Sequence, residues 1–506
     1  MGAVFFADCM KSILQEDPRL RWLLPAALAV QLITCITAIG VYHPDQHFQI
    51  IEFSSFQLRT PSAARQLWEL PACIRPTLQV YLFSGYYLLC QALGITDPYT
   101  QLSLLRLLMG VGLWCVFNAI CIYYFKDASR KILYTVLLVL NFSWLLPYTR
   151  TLYSSEMLSS VLFFGALFLY DVKRKTVRSL ALPLLTGFLF SLSFYARFQL
   201  GLAIAGVVVW MGWQERRHIL PLVGGLLIGV LLNTWLDYGF YQAWVLTPYN
   251  YYFENIARGR AAAFGTSSFL VYIAVLVALV ATPPLSLSLL FAGMKASFQR
   301  LRVPFVLPIL FFIVGHCFVG HKEERFLFPV LNMLPLFAGW GLPGMVRFYR
   351  GSPRWLRGLM NAGIGFSVCL DVFLLVALIF TPYSQAIHFT WLLKRQLNDR
   401  PTTVYCIRQS PFETASGLSL VFYRRAADNI ELRTLPSVDS LRGVTGHAIY
   451  VSATYNETSD EEKSRLAHLG YRPVTYASRF LWDINRWLHA RHMNTINDIW
   501  VLYKKE

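Results

Sequence analysis

Charge is what this sequence has least of. Only 14% of its 506 residues are Asp, Glu, Lys or Arg, where a water-soluble chain carries about 25%. Over such a length that shortage excludes a surface facing water on all sides. With 56% hydrophobic residues and a mean hydropathy of +0.46, much of the chain must face hydrocarbon. Acid is scarcer than base, 28 residues against 45, for a net charge of +17. Excess base can signal nucleic acid, but that requires a basic face on a soluble domain. Here Lys and Arg fall in short clusters between apolar runs, as in the cytoplasmic loops of membrane proteins. No nucleic-acid partner is expected. The nine cysteines include no C-x-x-C pair, so neither a zinc site nor a disulfide framework is indicated. A Gly-rich phosphate loop, H-E-x-x-H and Walker motifs are missing, which argues against a cytosolic nucleotide site. Internal repeats and heptads are missing as well.

What is present is a series of long apolar runs. A spanning helix needs roughly 20 mostly apolar residues. Candidate runs are 22–41, 103–125, 132–149, 155–172, 179–196, 198–213, 219–236, 267–293, 304–319, 326–346 and 359–381, with 77–94 ambiguous. Run 22–41 has no small-residue cleavage site and ends directly in a polar motif, so it is expected to be retained as a helix. The basic stretches 126–131, 173–178, 214–218, 294–302 and 347–357, with Lys11, Arg19 and Arg21, fall on one side only if 77–94 does not span. The expectation is an all-α polytopic membrane domain over 1–381, with about eleven spans. Its long external loop, 42–101, would carry interfacial helices. Residues 382–506 combine short β-rich runs (TVYCI, SLVFY, HAIYVSA, IWVLY) with the helical stretch SDEEKSRLAHLG, which reads as a small α/β domain in water. A sequon lies there at Asn456.

Ionisable residues at membrane ends are costly and point to function. In this topology the unusual ones gather on the external face. The first cluster, Tyr42 to Glu52, holds His43, Asp45, Gln49 and Glu52; a carboxylate beside His and Gln suits a general base or a hydroxyl ligand. Glu69 and Arg75 follow, the latter able to clamp phosphate or to snorkel to the interface. Arg150, Glu156 and Arg197 form a second group, and Asp237, Tyr241, Asn250 and Asn255 a third. The fourth is His321-Lys322-Glu323-Glu324-Arg325. Five consecutive ionisable residues between two apolar spans are hard to explain as packing.

His321-Lys322-Glu323-Glu324-Arg325-Phe326 closely resembles the His-Lys-Glu-x-Arg-Phe signature of the dolichyl- or polyprenyl-phosphate-mannose-dependent α-mannosyltransferases, which have the GT-C fold and include the glycosylphosphatidylinositol mannosyltransferases. His43-Pro44-Asp45-Gln46, then Phe48, Gln49 and Glu52, is similar to the family's Pro-Asp-Glu segment, with Gln46 where the family usually has Glu. Arg150-Thr151 with Ser154, Ser155 and Glu156 is similar to its Arg-Thr-x-Ser run in compressed form. Asp237, Tyr241, Pro248 and Asn250 resemble its D-x-x-x-Y…P-x-N segment.

The resemblance implies an inverting transferase with no metal and no cofactor. Its partners would be a polyprenyl-phosphate sugar donor, a lipid-linked glycan acceptor and membrane lipids. It implies Asp45 as base and Lys322 and Arg325 on phosphate, with Arg75 and Arg150 as further cations. His321 and Glu323 would orient them. The form HPDxHFQ followed by IRPTLQ favours a bacterial inner membrane over an endoplasmic reticulum membrane, with the site on the periplasmic or luminal side. Two other classes stay open. One is a lipid-linked-sugar transporter or flippase, which should show inverted repeats; the other is a GT-C transferase for another sugar.

Overall fold

The computed structural model describes residues 19–506 except 177–178, 415–416, 445–448, 455–457, 492 and 494–498. Lys11, Arg178 of the second basic stretch and Asn456 of the sequon lie outside the described residues. The chain divides into two compact units, one of residues 1–38, 69–82 and 105–381, the other of 39–68, 83–104 and 382–506.

The first unit is helical, and each apolar run assigned to it forms helix. Among the described residues, five helices are long and apolar enough to cross a membrane: Leu20–Thr37, Pro98–Phe125, Ser155–Lys173, Arg216–Tyr241 and Arg354–Ile379. A sixth is made if Glu324–Leu331 and Leu334–Gly351, bent by 68°, are one span. Ala181–Ala196, Leu200–Gln214, Leu285–Phe298 and Val306–Cys317 are shorter apolar helices. Three expected runs are interrupted, and one of them, 326–346, is the pair bent at 332–333. Run 132–149 splits into Arg130–Phe142 and Leu146–Arg150, and run 267–293 into Leu270–Val280 and Leu285–Phe298. Backbone freed at such a break must be satisfied by protein, since lipid offers no partner. The Arg354–Ile379 helix does this: Asp371 accepts from the Thr282 amide (3.2 Å), and Ser367 Oγ accepts from the Leu285 amide (3.1 Å).

Lipid does not drive helices together, so small residues that admit close backbones do more of the work. The Ala181–Ala196 and Ile219–Tyr241 helices cross at two glycines. A Cβ on Gly187 would stand 1.9 Å from the Leu222 carbonyl oxygen, and one on Gly225 1.9 Å from that of Leu184. Leu220, Leu231, Phe291 and Phe366 project outward instead, as lipid-facing positions would.

The second unit is built on a five-stranded sheet: β1 (Thr402–Ile407), β2 (Ile430–Leu435), β3 (Tyr450–Thr454), β4 (Tyr471–Tyr476) and β5 (Trp500–Lys505). Its order is β2-β1-β3-β5-β4, with β1 parallel to β2 and β3, and β5 antiparallel to β3 and β4. Tyr405, Val451, Leu466 and Val501 sit in its core. The stretch SDEEKSRLAHLG forms the Asp460–His468 helix, whose capping box joins Ser459 and Glu462. SLVFY is not a strand. It turns into the single helical turn Val421–Arg424, with Phe422 and Tyr423 buried. The edge strands β2 and β4 went unread because IELRTL and YRPVTY carry the charges and proline that edges tolerate. The helix Gln385–Leu397 is fastened to the 83–104 segment by Lys394 on Asp97 (2.5 Å) and by Tyr99 donating to Thr390 (2.8 Å).

Candidate active site

In the helical unit one carboxylate organises the ionisable residues. Glu156 lies in the first turn of Ser155–Lys173, where helix N-termini favour negative charge. Its side chain is 3% exposed and bonds to Arg197 at 2.9 Å, with Arg325 at 3.5 Å. Arg197 is the residue at which Ala181–Ala196 ends, its backbone already extended. Arg325 sits in the 3-10 turn Glu324–Leu327. Hydroxyls set the spacing of these elements: Ser193 donates to the Ser159 carbonyl (2.8 Å) and Ser160 to that of Pro329 (2.6 Å). Arg325 also pairs with Glu323, which meets His321 Nε2 at 2.8 Å. Phe326 lies beneath both guanidinium groups, 5.0 Å from Arg197 and 5.4 Å from Arg325. Lys322 donates to the carbonyls of Cys317 and Val319, closing the end of the Val306–Cys317 helix, and lies 5.1 Å over the Tyr272 ring. Two of its three N–H bonds are thereby used. Among these residues three cations face two carboxylates. Such a cluster can take an anion.

A second group holds the segment that carries Arg75. Asp237 accepts from the Thr77 amide and hydroxyl (2.8 Å each) and from the Thr247 hydroxyl (2.7 Å). Tyr241 donates to the Arg75 carbonyl (2.7 Å) and Asn250 to that of Cys73 (3.2 Å). Three motif residues thus act on backbone, as struts. Arg75 pairs with Glu69 at 2.5 Å and lies 5.8 Å over the Tyr251 ring. Tyr251 in turn packs on Phe198, next to Arg197, at 5.2 Å. Arg150 stands apart from both groups. It is buried, and its Nε donates to Gln31 at 3.0 Å. Gln31 was the available signal, a lone amide in the run LAVQLITC, where a polar side chain needs a partner.

Asp45 belongs to the other unit. Pro44–Gln46 is helical and runs directly into a π-helical stretch, His47–Glu52, a rare geometry that is frequent at functional sites. His43 caps it, its Nδ1 accepting from the Asp45 amide at 3.2 Å. Gln46 completes the capping box, its Oε1 accepting from the His43 amide at 3.4 Å and also from the Tyr42 amide at 2.8 Å. The amide therefore fills the acceptor role a Glu would fill there, without the charge. Asp45 keeps 29% of its side chain exposed, and Gln49 is half-buried.

Glu52 is fully buried. It accepts from His47 Nε2 (2.9 Å) and from the amides of Ala63 (2.8 Å) and Phe422 (3.2 Å). Burial raises its pKa, but His47 and the two amides lower it further, and the carboxyl ends below its ordinary value. Tyr423 and Arg425, which also reach this loop, were invisible to sequence reasoning. They lie some 370 residues along the chain from Ser55, with no motif to mark them. Among the described residues, no three His, Cys, Asp or Glu side chains gather as a metal site requires.

Residues 22–410 match the sequence model of the Alg9-like mannosyltransferase family. Mannosyltransferase APTG1 of Arabidopsis thaliana is 24% identical over 345 residues, 63% of this chain and 58% of that protein. The GPI alpha-1,2-mannosyltransferase 3 of Bos taurus is 22% identical over 62% of this chain and 58% of its own length. The match thus spans well under two thirds of these relatives. Among solved structures, ArnT from Cupriavidus metallidurans, bound to undecaprenyl phosphate, superposes with a TM-score of 0.56 at 13% identity, over 96% of this chain and 98% of that one. At that identity the likeness is one of fold, the GT-C fold of a multi-pass membrane protein.

Proposed function

The chain belongs to the Alg9-like mannosyltransferase family, and from that premise we propose that it transfers mannose from a polyprenyl-phosphate carrier to a lipid-linked glycan. The observation that carries the chemistry is the cation cluster. Arg197, Arg325 and Lys322 are fixed at helix ends by Glu156, Glu323 and backbone carbonyls. When the anomeric C–O bond breaks, the departing carrier phosphate gains a negative charge. Fixed cations that need no reorganisation stabilise that charge best.

The acceptor hydroxyl attacks the anomeric carbon from the opposite face, and Asp45 takes its proton. Lys322 and Arg325 hold the phosphate, with His321 and Glu323 orienting them, and Arg75 adds a further cation. Catalysis is assigned to 1–381, including the 42–101 loop. Residues 382–506 serve acceptor contacts or stability and supply no catalytic group. The active face is periplasmic in a bacterial inner membrane, or luminal in an endoplasmic reticulum membrane.

The test is mass spectrometry of lipid-linked glycans from cells with and without the gene, paired with transfer from synthetic polyprenyl-phosphate mannose by the purified protein. A product one hexose short in the deletion, restored in vitro, is the expected result. An unchanged glycan pool together with no transfer in vitro would sink the reading.

A further inference from the structure

Two residues beyond Asp45, the chain enters the π-helical stretch that ends on Glu52. Part of what fixes that stretch comes from far along the sequence. The turn Val421–Arg424 and the residue after it lie against the loop with three kinds of contact. The Phe422 amide donates to Glu52 Oε1 at 3.2 Å. The Tyr423 ring is stacked on the His47 imidazole, centroids 5.5 Å apart and planes 17° from parallel. Arg425 Nη2 donates to Thr60 Oγ1 (2.8 Å), the Pro61 carbonyl (3.0 Å) and Ser55 Oγ (3.2 Å). Its Nη1 reaches the Tyr87 hydroxyl at 3.3 Å. Phe422 adds edge contacts to Phe83 and Tyr87 at 6.0 and 6.2 Å.

From the loop's side the same points are its anchors. Glu52 is gripped from both directions, by His47 and the Ala63 amide within the loop and by the Phe422 amide from outside it. Helical backbone is continuous from Pro44 to Gln57. A shift at Glu52 or His47 is therefore carried to Asp45, which lies on the same continuous helical stretch. Planar recognition of several acceptors at once is what guanidinium does and ammonium does not. A misplacement of about 1 Å in a reacting group can cost on the order of 10²-fold in rate.

We propose that residues 421–425 are a positioning element for Asp45: Tyr423 and Arg425, acting through His47, Glu52 and the 55–61 turn, set where the Asp45 carboxylate stands, without touching substrate. The kinetic part rests on the transferase reading above; the structural part does not. This gives the C-terminal segment a share in turnover although it supplies no reacting group.

The test uses the full chain in detergent or nanodiscs. Arg425→Gln and Tyr423→Leu are expected to lower kcat by about 10- to 100-fold, with KM for the donor unchanged. Tyr423→Phe keeps the ring and should retain near-full rate. Adding Arg425→Gln to Asp45→Asn should cost little more than Asp45→Asn alone, because the first change acts through the second residue. Full additivity, or a loss of rate explained by lost folded protein, would overturn the proposal.

Hydrogen exchange decides independently of activity. In Arg425→Gln the amides of 44–57 should exchange faster while those of β1, β3 and β5 stay protected; unchanged exchange at 44–57 would also overturn it. If the wild type moves no mannose but the exchange result holds, the transferase reading fails and the positioning contact stands.

Discussion

A carboxylate that gives up water must find partners of equal worth, and two in this chain do so differently. Glu156 takes two guanidinium groups, each costly to bury unpaired. Glu52 takes two amides and a histidine. Because the Glu52 carboxyl is held below its ordinary 4.5, it adds stability at any pH above that value and loses it as the pH falls through its folded value. Glu52→Gln should therefore melt lower than wild type at pH 7, with the gap narrowing as the pH drops below 4.5. Melting curves of both proteins across that range check it. Asp45 differs from both in keeping contact with solvent. Asp45→Asn keeps the shape and removes the proposed proton acceptor, so on that proposal turnover should fall about 10²–10⁴-fold with carrier affinity nearly unchanged. Lys322→Ala and Arg325→Ala should weaken carrier binding as well as turnover, a charged hydrogen bond being worth about 1.5–3 kcal/mol. Sugar transfer and melting temperature measured on the same variants separate these outcomes. A folded Asp45→Asn enzyme at near-full rate would remove the base assignment.

Helices in this molecule meet through what they leave out. At Gly187 and Gly225 a side chain would have to enter the facing backbone. Gly187→Val or Gly225→Val should cost at least about 3 kcal/mol, the upper range for overpacking. Gly224, with nothing within 4 Å of its Cβ position, should accept Ala freely. Thermal unfolding of the three variants is the measurement. The helices themselves were legible, because apolar length alone announces them. Their interruptions at 281–284 and 143–145 were not, since Ser367, Asp371 and their backbone partners are joined only in space. HKEERF was legible as a cluster because packing between two apolar runs has no use for five consecutive ionisable side chains. SLVFY was misread because its β-forming residues are buried by docking on the first loop rather than by pairing in the sheet. Propensity reports that a residue wants burial, not against what.

Across the whole molecule, the positive-inside rule applied to the basic stretches gives a topology that can be tested. The Leu78–Ala92 helix has 15 residues and does not join the helices long and apolar enough to cross. With that helix on the external face, single cysteines at Thr96 and Lys504, placed in a cysteine-free background, should both react with an impermeant reagent from outside. Reaction of Thr96 only from the cytoplasm would overturn this topology. The second unit also has a consequence for grafting, because it is assembled from 39–68, 83–104 and 382–506. A chimera that exchanged only the last of these for a relative's would set foreign side chains against Glu52, Thr60 and Tyr87. The sheet is no cassette. The three segments form one compact unit, and a graft that works must carry all of them together.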